Sequence, residues 1–356
     1  MSKDPFDFAE ELKSQDCQFY TLSSEQCAKN LEKTRDLVFF TGAGFSKAWN
    51  SAYPLGFELF SIKNIDTVDN CYNFIRLADE LHITRPVESD SNFSEQCYEY
   101  FSEIKFHLDI FKRYPSLMPK VLDTTTISMF ENEISSFILQ RFKEMVGANE
   151  LNLDCTSKLN HNLVRIFKAL SSSSSNLTFL STNYDYIIEK IFTQIGIKNL
   201  NRGIVDREQF NKKSWGTSEV NLFKLNGGFE VYNDASGFHL DYGRLESPDI
   251  ILPSKDQSYD SSYYKNMFTK SASNLRDASK LIFVGYSLPE EDHTIRLLLK
   301  SFIDYKGRDK EIYVINRDLE SSLKICEKVA KLFPVLAENN SIFAIDGSLE
   351  QLSEHV

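Results

Sequence analysis

The chain has 356 residues, which at roughly 150 per domain corresponds to about two units, or one large α/β unit carrying an insertion. It is 42% hydrophobic and 26% charged, the balance of a globular protein with a sizeable core. Forty Lys and Arg against 51 Asp and Glu leave a net charge of −11, which argues against a general nucleic-acid backbone binder and leaves room only for a local basic patch. No run approaches the ~18 consecutive apolar residues of a membrane-spanning helix. The mixed, acidic start of the chain lacks the apolar block of a signal peptide, so the cytoplasm is the expected compartment. Six cysteines (Cys17, Cys27, Cys71, Cys97, Cys155 and Cys326) form no C-x-x-C pair, and neither structural zinc nor another metal site is expected.

In chain order, the first strong element is the run at 37–46, LVFFTGAGFS. Similar runs stand at 176–185, 280–287 and 311–316, each rich in β-branched and aromatic residues and ending in small polar or glycine positions. Continuous apolar runs of this kind suit strands buried on both faces of a parallel sheet. Between 63 and 168 the periodicity becomes helical. Phe74, Leu77 and Leu81 share a face, as do Cys97, Phe101, Ile104, Leu108 and Phe111, then Ile127, Phe130, Ile134 and Phe137, then Leu159, Leu163, Ile166, Phe167 and Leu170. These stripes predict an all-helical insertion, with the α/β domain made of 1–62 and 169–356. The serines Ser171–Ser175 read as a surface loop. Helical stripes follow three of the strands, at Ile187–Ile195, Ile295–Phe302 and Leu323–Phe333, while runs at 221–225, 248–252 and 341–345 offer further strands. Strand alternating with helix predicts a doubly wound, Rossmann-like parallel sheet.

In such a sheet, ligands bind beyond the carboxyl ends of the strands. Gly42 and Gly44 in Thr41-Gly42-Ala43-Gly44-Phe45-Ser46 let backbone approach a phosphate that helix-start N–H groups would meet, although a G-x-G also makes an ordinary tight turn, and Lys47 stands where a third glycine would complete the longer pattern. In Ser181-Thr182-Asn183-Tyr184-Asp185, Thr182 and Asp185 resemble a capping box, while Asn183 could orient a water or a ribose hydroxyl. Ser287 and Glu290 resemble a second capping box after Gly285, which leaves room for a ligand, and Asp292 and His293 read as a solvated helix face. Asn316 ends its strand as a ribose contact or a helix cap.

Together these motifs resemble the sirtuin superfamily, and more closely its bacterial branch of NAD-consuming antiphage-defence proteins than the protein deacylases. Gly42-Ala43-Gly44-Phe45-Ser46 is similar to the family's phosphate-binding G-A-G-x-S, Ser181–Asp185 to its (S/T)-T-N-Y-D element, Gly285-Tyr286-Ser287 to its G-x-S and Val314-Ile315-Asn316 to its adenosine-contacting V-x-N, with Pro253 and Lys255 in familiar places. The motifs keep the family's order over about 280 residues. The resemblance implies a sirtuin-like fold without the zinc module, NAD as substrate with no metal, and cleavage of the nicotinamide–ribose bond. It assigns phosphate contact to Gly42, Ala43, Gly44, Phe45 and Ser46, water or ribose positioning to Asn183 with Asp185 in support, and the adenosine half to Gly285, Ser287 and Asn316.

One departure stands out. The family's catalytic histidine lies in a K-L-H-G-like segment, and this chain has Lys224-Leu225-Asn226-Gly227. Asn226 occupies that position without supplying a base, although Asn-Gly alone also reads as a hairpin turn. His239, the nearest histidine, reads as a surface-loop residue. Two expectations follow. One is an NAD glycohydrolase effector of an antiphage system, silenced or slow through Asn226. The other is a non-catalytic NAD- or ADP-ribose-binding subunit. A deacylase is disfavoured by the missing histidine and zinc cysteines. The resemblance also implies a homo-oligomer or a sensor on a separate chain.

Overall fold

The apolar runs become strands whose side chains alternate between two cores. The computed structural model describes residues 19–61, 72–120, 122–153, 160–197, 200–203, 220–235, 237–252, 254, 257, 259–290, 292–304 and 309–355. Leu159, Pro253, Lys255, Cys17, Cys71 and Cys155 lie outside them. Among the described residues the strands are β1 (Tyr20–Ser23), β2 (Asp36–Thr41), β3 (Asn176–Ser181), β4 (Val220–Lys224), β5 (Val231–Asp234), β6 (Gly237–Leu240), β7 (Lys280–Val284), β8 (Glu311–Ile315) and β9 (Ile342–Asp346). Seven form one sheet in the order β1-β9-β8-β7-β2-β3-β4, every pairing parallel, while β5 and β6 make a separate antiparallel pair.

The helices are α1 (Ser24–Glu32), α2 (Ala43–Trp49), α3 (Asn73–Glu80), α4 (Phe93–Arg113), α5 (Thr124–Val146), α6 (His161–Ser173), α7 (Ile187–Ile195), α8 (Ser262–Asp277), α9 (His293–Leu299), α10 (Leu319–Leu332), α11 (Pro334–Glu338) and α12 (Leu349–Leu352). From β2 the chain builds outward through β3 to β4, then returns to β7 and builds the other way. The reversal of strand order falls between β2 and β7, where a doubly wound sheet opens a crevice for ligands.

Register explains the two-faced burial. Phe39 sits opposite Phe179 on one side and Ile282 on the other. Because successive side chains point to opposite faces, Leu37, Phe39, Phe179 and Ile282 enter one core while Val38, Phe40, Leu180 and Phe283 enter the other. The first core also contains Phe74, Phe101, Ile138 and Phe167 from the helical block, with Phe167 packed edge-on to Phe39 at 5.4 Å and Phe179 at 5.2 Å. The aromatic stripes of the helical block are therefore packing surface, continuous with the sheet.

Two local expectations are corrected. Ser171, Ser172 and Ser173 extend α6, their hydroxyls donating to the carbonyls of Lys168 and Leu170 one turn back, so only Ser174 and Ser175 form the loop. The apolar run at 248–252 makes only an isolated antiparallel bridge, Gly227 with Ile250. Its amides are spent outside any sheet ladder of its own, Asp249 N on Val231 O at the start of β5 and Ile251 N on Asn226 O in the turn after β4. β1 and the β5–β6 pair carry too few apolar positions to stand out in the sequence. No helix among the described residues is long and apolar enough to cross a membrane.

Candidate functional site

At the strand-order reversal, the loop after β2 packs directly on the loop after β7, backbone against backbone. Gly42 N donates to Val284 O at 3.2 Å and Gly44 N to Gly285 O at 2.9 Å. Gly285 has φ +60°, and a Cβ there would lie 2.3 Å from Gly44 C and Phe45 N. A Cβ on Gly42 or Gly44 would meet Gly285 or Tyr286 backbone at 2.7–2.8 Å. These glycines clear space for each other's loop, and Gly44 and Gly285 also line the cavity described below. The N–H groups of Gly42, Gly44 and Phe45 are likewise spent on protein carbonyls, because the two loops are hydrogen-bonded together and Phe45 N turns back to Gly42 O.

The segment after β3 is anchored into the same place. Asn183 Nδ2 donates to Gly42 O and to Ser46 Oγ, both at 2.8 Å. Ser46 in turn donates its hydroxyl to Asp185 Oδ2 at 2.5 Å, and Asp185 Oδ1 accepts from Ile187 N at 3.1 Å. This chain of donors fixes the amide: both Asn183 N–H groups are used, and Oδ1 remains its polar group for a ligand. The predicted Thr182–Asp185 capping box does not form. Thr182 Oγ1 donates to Thr41 O at 3.4 Å, and Asp185 Oδ1 accepts from Ile187 N, the first residue of α7, from just outside the helix. The Ser287–Glu290 box is also absent, since α9 begins only at His293. Asp292, read as solvated, accepts the Tyr286 hydroxyl at 2.5 Å.

Beneath Asp185 lies a buried charge network. Lys224, at the end of β4, donates to Asp185 O at 2.5 Å and pairs with Glu230 at 2.9 Å and Glu189 at 2.8 Å. Arg202 joins it, bonded to Glu189 at 2.8 Å and paired with Glu230. All four side chains are at most 4% exposed, and ions this deep persist only when mutually compensated. Burial raises the carboxyl of Asp185 above the ordinary Asp range, against the lowering effects of the Ser46 bond and Lys224. Burial likewise raises Glu189, whereas for Glu230 Lys224 and Arg202 overcome burial and hold it low.

Asn226 follows β4 in a tight turn in which Gly227, at φ +75°, returns its N–H to Lys224 O. A Cβ on Gly227 would lie 2.4 Å from Asp249 O, so the turn requires glycine. Asn226 Oδ1 accepts from the Tyr259 hydroxyl at 3.0 Å, leaving its Nδ2 donor uncommitted by that bond. The dipeptide makes a turn, but not a two-residue hairpin between paired strands. His239 is not on a surface loop: it is 5% exposed on β6, with Nδ1 3.1 Å from Gly237 O.

Five strand ends, those of β2, β3, β4, β7 and β8, meet in one cavity of about 610 Å³. Ala43, Gly44, Ser46, Asn183, Asp185, Asn226, Gly285, Ser287 and Asn316 line it. Two predicted residues do not. Phe45 turns into the core at 1% exposure, and Gly42 contributes a carbonyl to Asn183 instead. Asn316 does not cap α10, because Asp318 does so through Ser321 N at 2.7 Å.

The opposite wall comes from the 53–60 segment and the helical block, through Tyr53, Phe57, Phe60, Glu95, Tyr98, Glu99 and Phe142. Tyr53 is tied down by a bond from its hydroxyl to Glu150 at 2.8 Å, and Glu150 pairs with buried Lys190 of α7 at 2.9 Å. The described lining contains acidic side chains but no Lys, Arg or His. No cluster of metal-ligating side chains occurs among the described residues. Sequence reasoning missed Tyr259, Glu95, Glu99 and the Lys224–Glu230–Arg202 network. Lys224 opens the quoted motif and Glu230 follows it closely, but no spacing signals Arg202 or Tyr259.

Residues 177–342 match the family model described as SIR2-like domain. No curated protein matches the sequence. Among solved structures, a Sir2 enzyme is similar at 13% identity and TM-score 0.41, over 94% of this chain and 96% of that one. A Sir2 homolog–NAD complex is similar at 12% identity and TM-score 0.40, over 95% of each chain. A mutant Sir2 homologue bound to ADP ribose gives 12% identity and TM-score 0.39, over 93% of this chain and 95% of that one. Over residues 177–342 this chain is similar to a SIR2-like domain.

Proposed function

We propose that the cavity binds NAD and that the chain is an NAD glycohydrolase, releasing nicotinamide and ADP-ribose. The observation that carries this reading is convergence: residues from five separate strand ends, spread from Ala43 to Asn316, line one cavity at the reversal of strand order. Its volume, about 610 Å³, falls within the usual 300–1,000 Å³ range for small-molecule sites. Ser46 and Asn183 are held by the hydrogen-bond chain to Asp185, so they can orient a ribose hydroxyl or a water at little reorganisation cost. Ala43 and Gly44 face the pyrophosphate, and Gly285, Ser287 and Asn316 the adenosine half.

The nicotinamide ring of NAD is cationic, and its departure leaves an oxocarbenium-like ribose. Among the described lining residues, carboxylates without Lys, Arg or His favour both species electrostatically. Asn226 cannot accept a proton, so turnover is slow. The biological role proposed is an antiphage effector that depletes NAD in the cytoplasm, held in check by self-association or by a separate sensor chain.

One observation favours a second reading, a non-catalytic NAD- or ADP-ribose-binding subunit. Asn226 is fixed with its carbonyl oxygen on Tyr259, a donor where the family has a base. Nicotinamide release by this chain and by Asn226→His separates the two. Release that rises about 10²–10⁴-fold in the variant supports hydrolysis. NAD binding with no release from either supports the binding subunit.

A further inference from the structure

With Asn226 in place of a base, the hydrolase reading leaves one task unassigned: something must take the proton of the attacking water. The carboxylates lining the cavity are Asp185, Asp292, Glu95 and Glu99. Asp292 is held by the Tyr286 hydroxyl, and Glu95 and Glu99 stand one turn apart on α4 in the opposite wall. Asp185 is different, because it is wired to a hydroxyl that itself lines the cavity.

Resting on the proposed NAD hydrolysis, we propose that Ser46 and Asp185 form a proton relay that stands in for the absent base. The water gives a proton to Ser46 Oγ as Ser46 passes its own proton to Asp185 Oδ2. The oxygen of that water bonds to the ribose carbon, the carbon–nitrogen bond breaks, and nicotinamide leaves with the electron pair. Asp185 returns the proton to solvent through the same hydroxyl, so the sum is NAD⁺ plus water giving nicotinamide, ADP-ribose and a proton.

Three features of the geometry carry this. First, the Ser46–Asp185 bond is 2.5 Å long, and both oxygens of Asp185 accept hydrogen bonds, from Ser46 and from Ile187 N, as a carboxylate does. Second, the hydroxyl rotor is forced. Asn183 Nδ2 donates to Ser46 Oγ, so the Ser46 proton goes to Asp185. A hydroxyl oxygen has two lone pairs, and the one that Asn183 does not use is left for a ligand. Third, both groups line the cavity yet are only 2% and 8% exposed, which shields the relay from bulk water.

The surrounding charges tune it. Burial raises Asp185, Glu230 pushes it further up, and Lys224 of β4 pulls it back. A carboxylate raised toward the working pH is a stronger base than an ordinary one. A purely structural role, with Asp185 as the cap of α7, is the alternative to defeat.

The test uses the full chain, Asp185→Asn and Ser46→Ala. Nicotinamide release from NAD is followed from about pH 5 to 9, NAD affinity is measured by calorimetry, and folding is checked by Tm. The relay predicts that both variants, at saturating NAD, lose about 10²–10⁴-fold in kcat and lose the rise in rate with pH that ionisation of Asp185 gives the unaltered chain. Ser46→Ala leaves the Asp185 cap on α7 in place, so it carries the test alone if Asp185→Asn does not fold. Release at an unchanged rate with the same pH rise overturns the relay and leaves hydrolysis standing. A kcat loss with the rise retained assigns the pair a structural role and also overturns the relay. NAD binding without release by the unaltered chain overturns the hydrolase reading, and the relay with it.

Discussion

Gly285→Ala is the sharpest structural perturbation the fold offers. The added methyl would lie 2.3 Å from Gly44 C and Phe45 N, with the backbone at φ +60°. Neither neighbour is a movable side chain, so the two loops must part. A left-handed conformation costs an L-residue about 1–2 kcal/mol, and forcing a methyl into closed packing about 1–3 kcal/mol more. The sum is roughly 2–5 kcal/mol, which at about 2 °C per kcal/mol for a larger domain lowers Tm by about 4–10 °C. Parting the loops also breaks the Gly44 N to Gly285 O bond of 2.9 Å that closes this end of the cavity, so affinity for NAD falls with stability. Differential scanning fluorimetry and NAD calorimetry read both effects. Gly243→Ala is the control, because its methyl would meet only Asp241 Oδ1 at 3.4 Å on the surface. A Gly285→Ala protein with unchanged Tm and unchanged NAD affinity would refute the loop-against-loop account.

Among the described residues, Lys224→Met leaves Glu189 and Glu230 with Arg202 for compensation. Breaking such a buried network costs about 3–5 kcal/mol, and a urea midpoint equal to that of the unaltered chain would contradict it. Tyr53→Phe removes the hydroxyl bonded to Glu150. A loss of about 1–3 kcal/mol is expected, with weaker NAD binding because the 53–60 wall is untied; stability within error of the parent counts against that tie. Asp185, raised by burial, favours the folded state below its unfolded pKa and loses that contribution as pH rises through its folded value. The Tm of Asp185→Asn relative to the parent should therefore climb from mildly acidic toward neutral pH, and a difference independent of pH would show the carboxyl is not perturbed.

The sheet was legible because its strands are buried on both faces. Leu37–Phe40 and Leu281–Val284 have no polar alternation to confuse with a surface. Helical stripes such as Phe101–Ile104–Leu108 were legible for a different reason, since each buries one face in a shared core and leaves the other to solvent. The motifs at the four strand ends were also readable, because strand ends in a parallel sheet gather on one side. What escaped depends on contacts between distant segments. Gly44 and Gly285 carry a glycine signal, but not the fact that each needs the other. Arg202 and Tyr259 reach the site from stretches without periodicity. The two supposed capping boxes satisfied a spacing rule, while Asp185 was claimed by Ser46 and α9 began beyond Glu290.

The central claim, that this cavity cleaves NAD, is tested most directly by nicotinamide release from NAD by the unaltered chain, Asn226→His and Asn226→His/Asn183→Ala. The account predicts slow release from the first, release faster by about 10²–10⁴-fold from the second and its loss in the third. Silence from all three, with NAD bound, would contradict it and leave a nucleotide-binding subunit in its place.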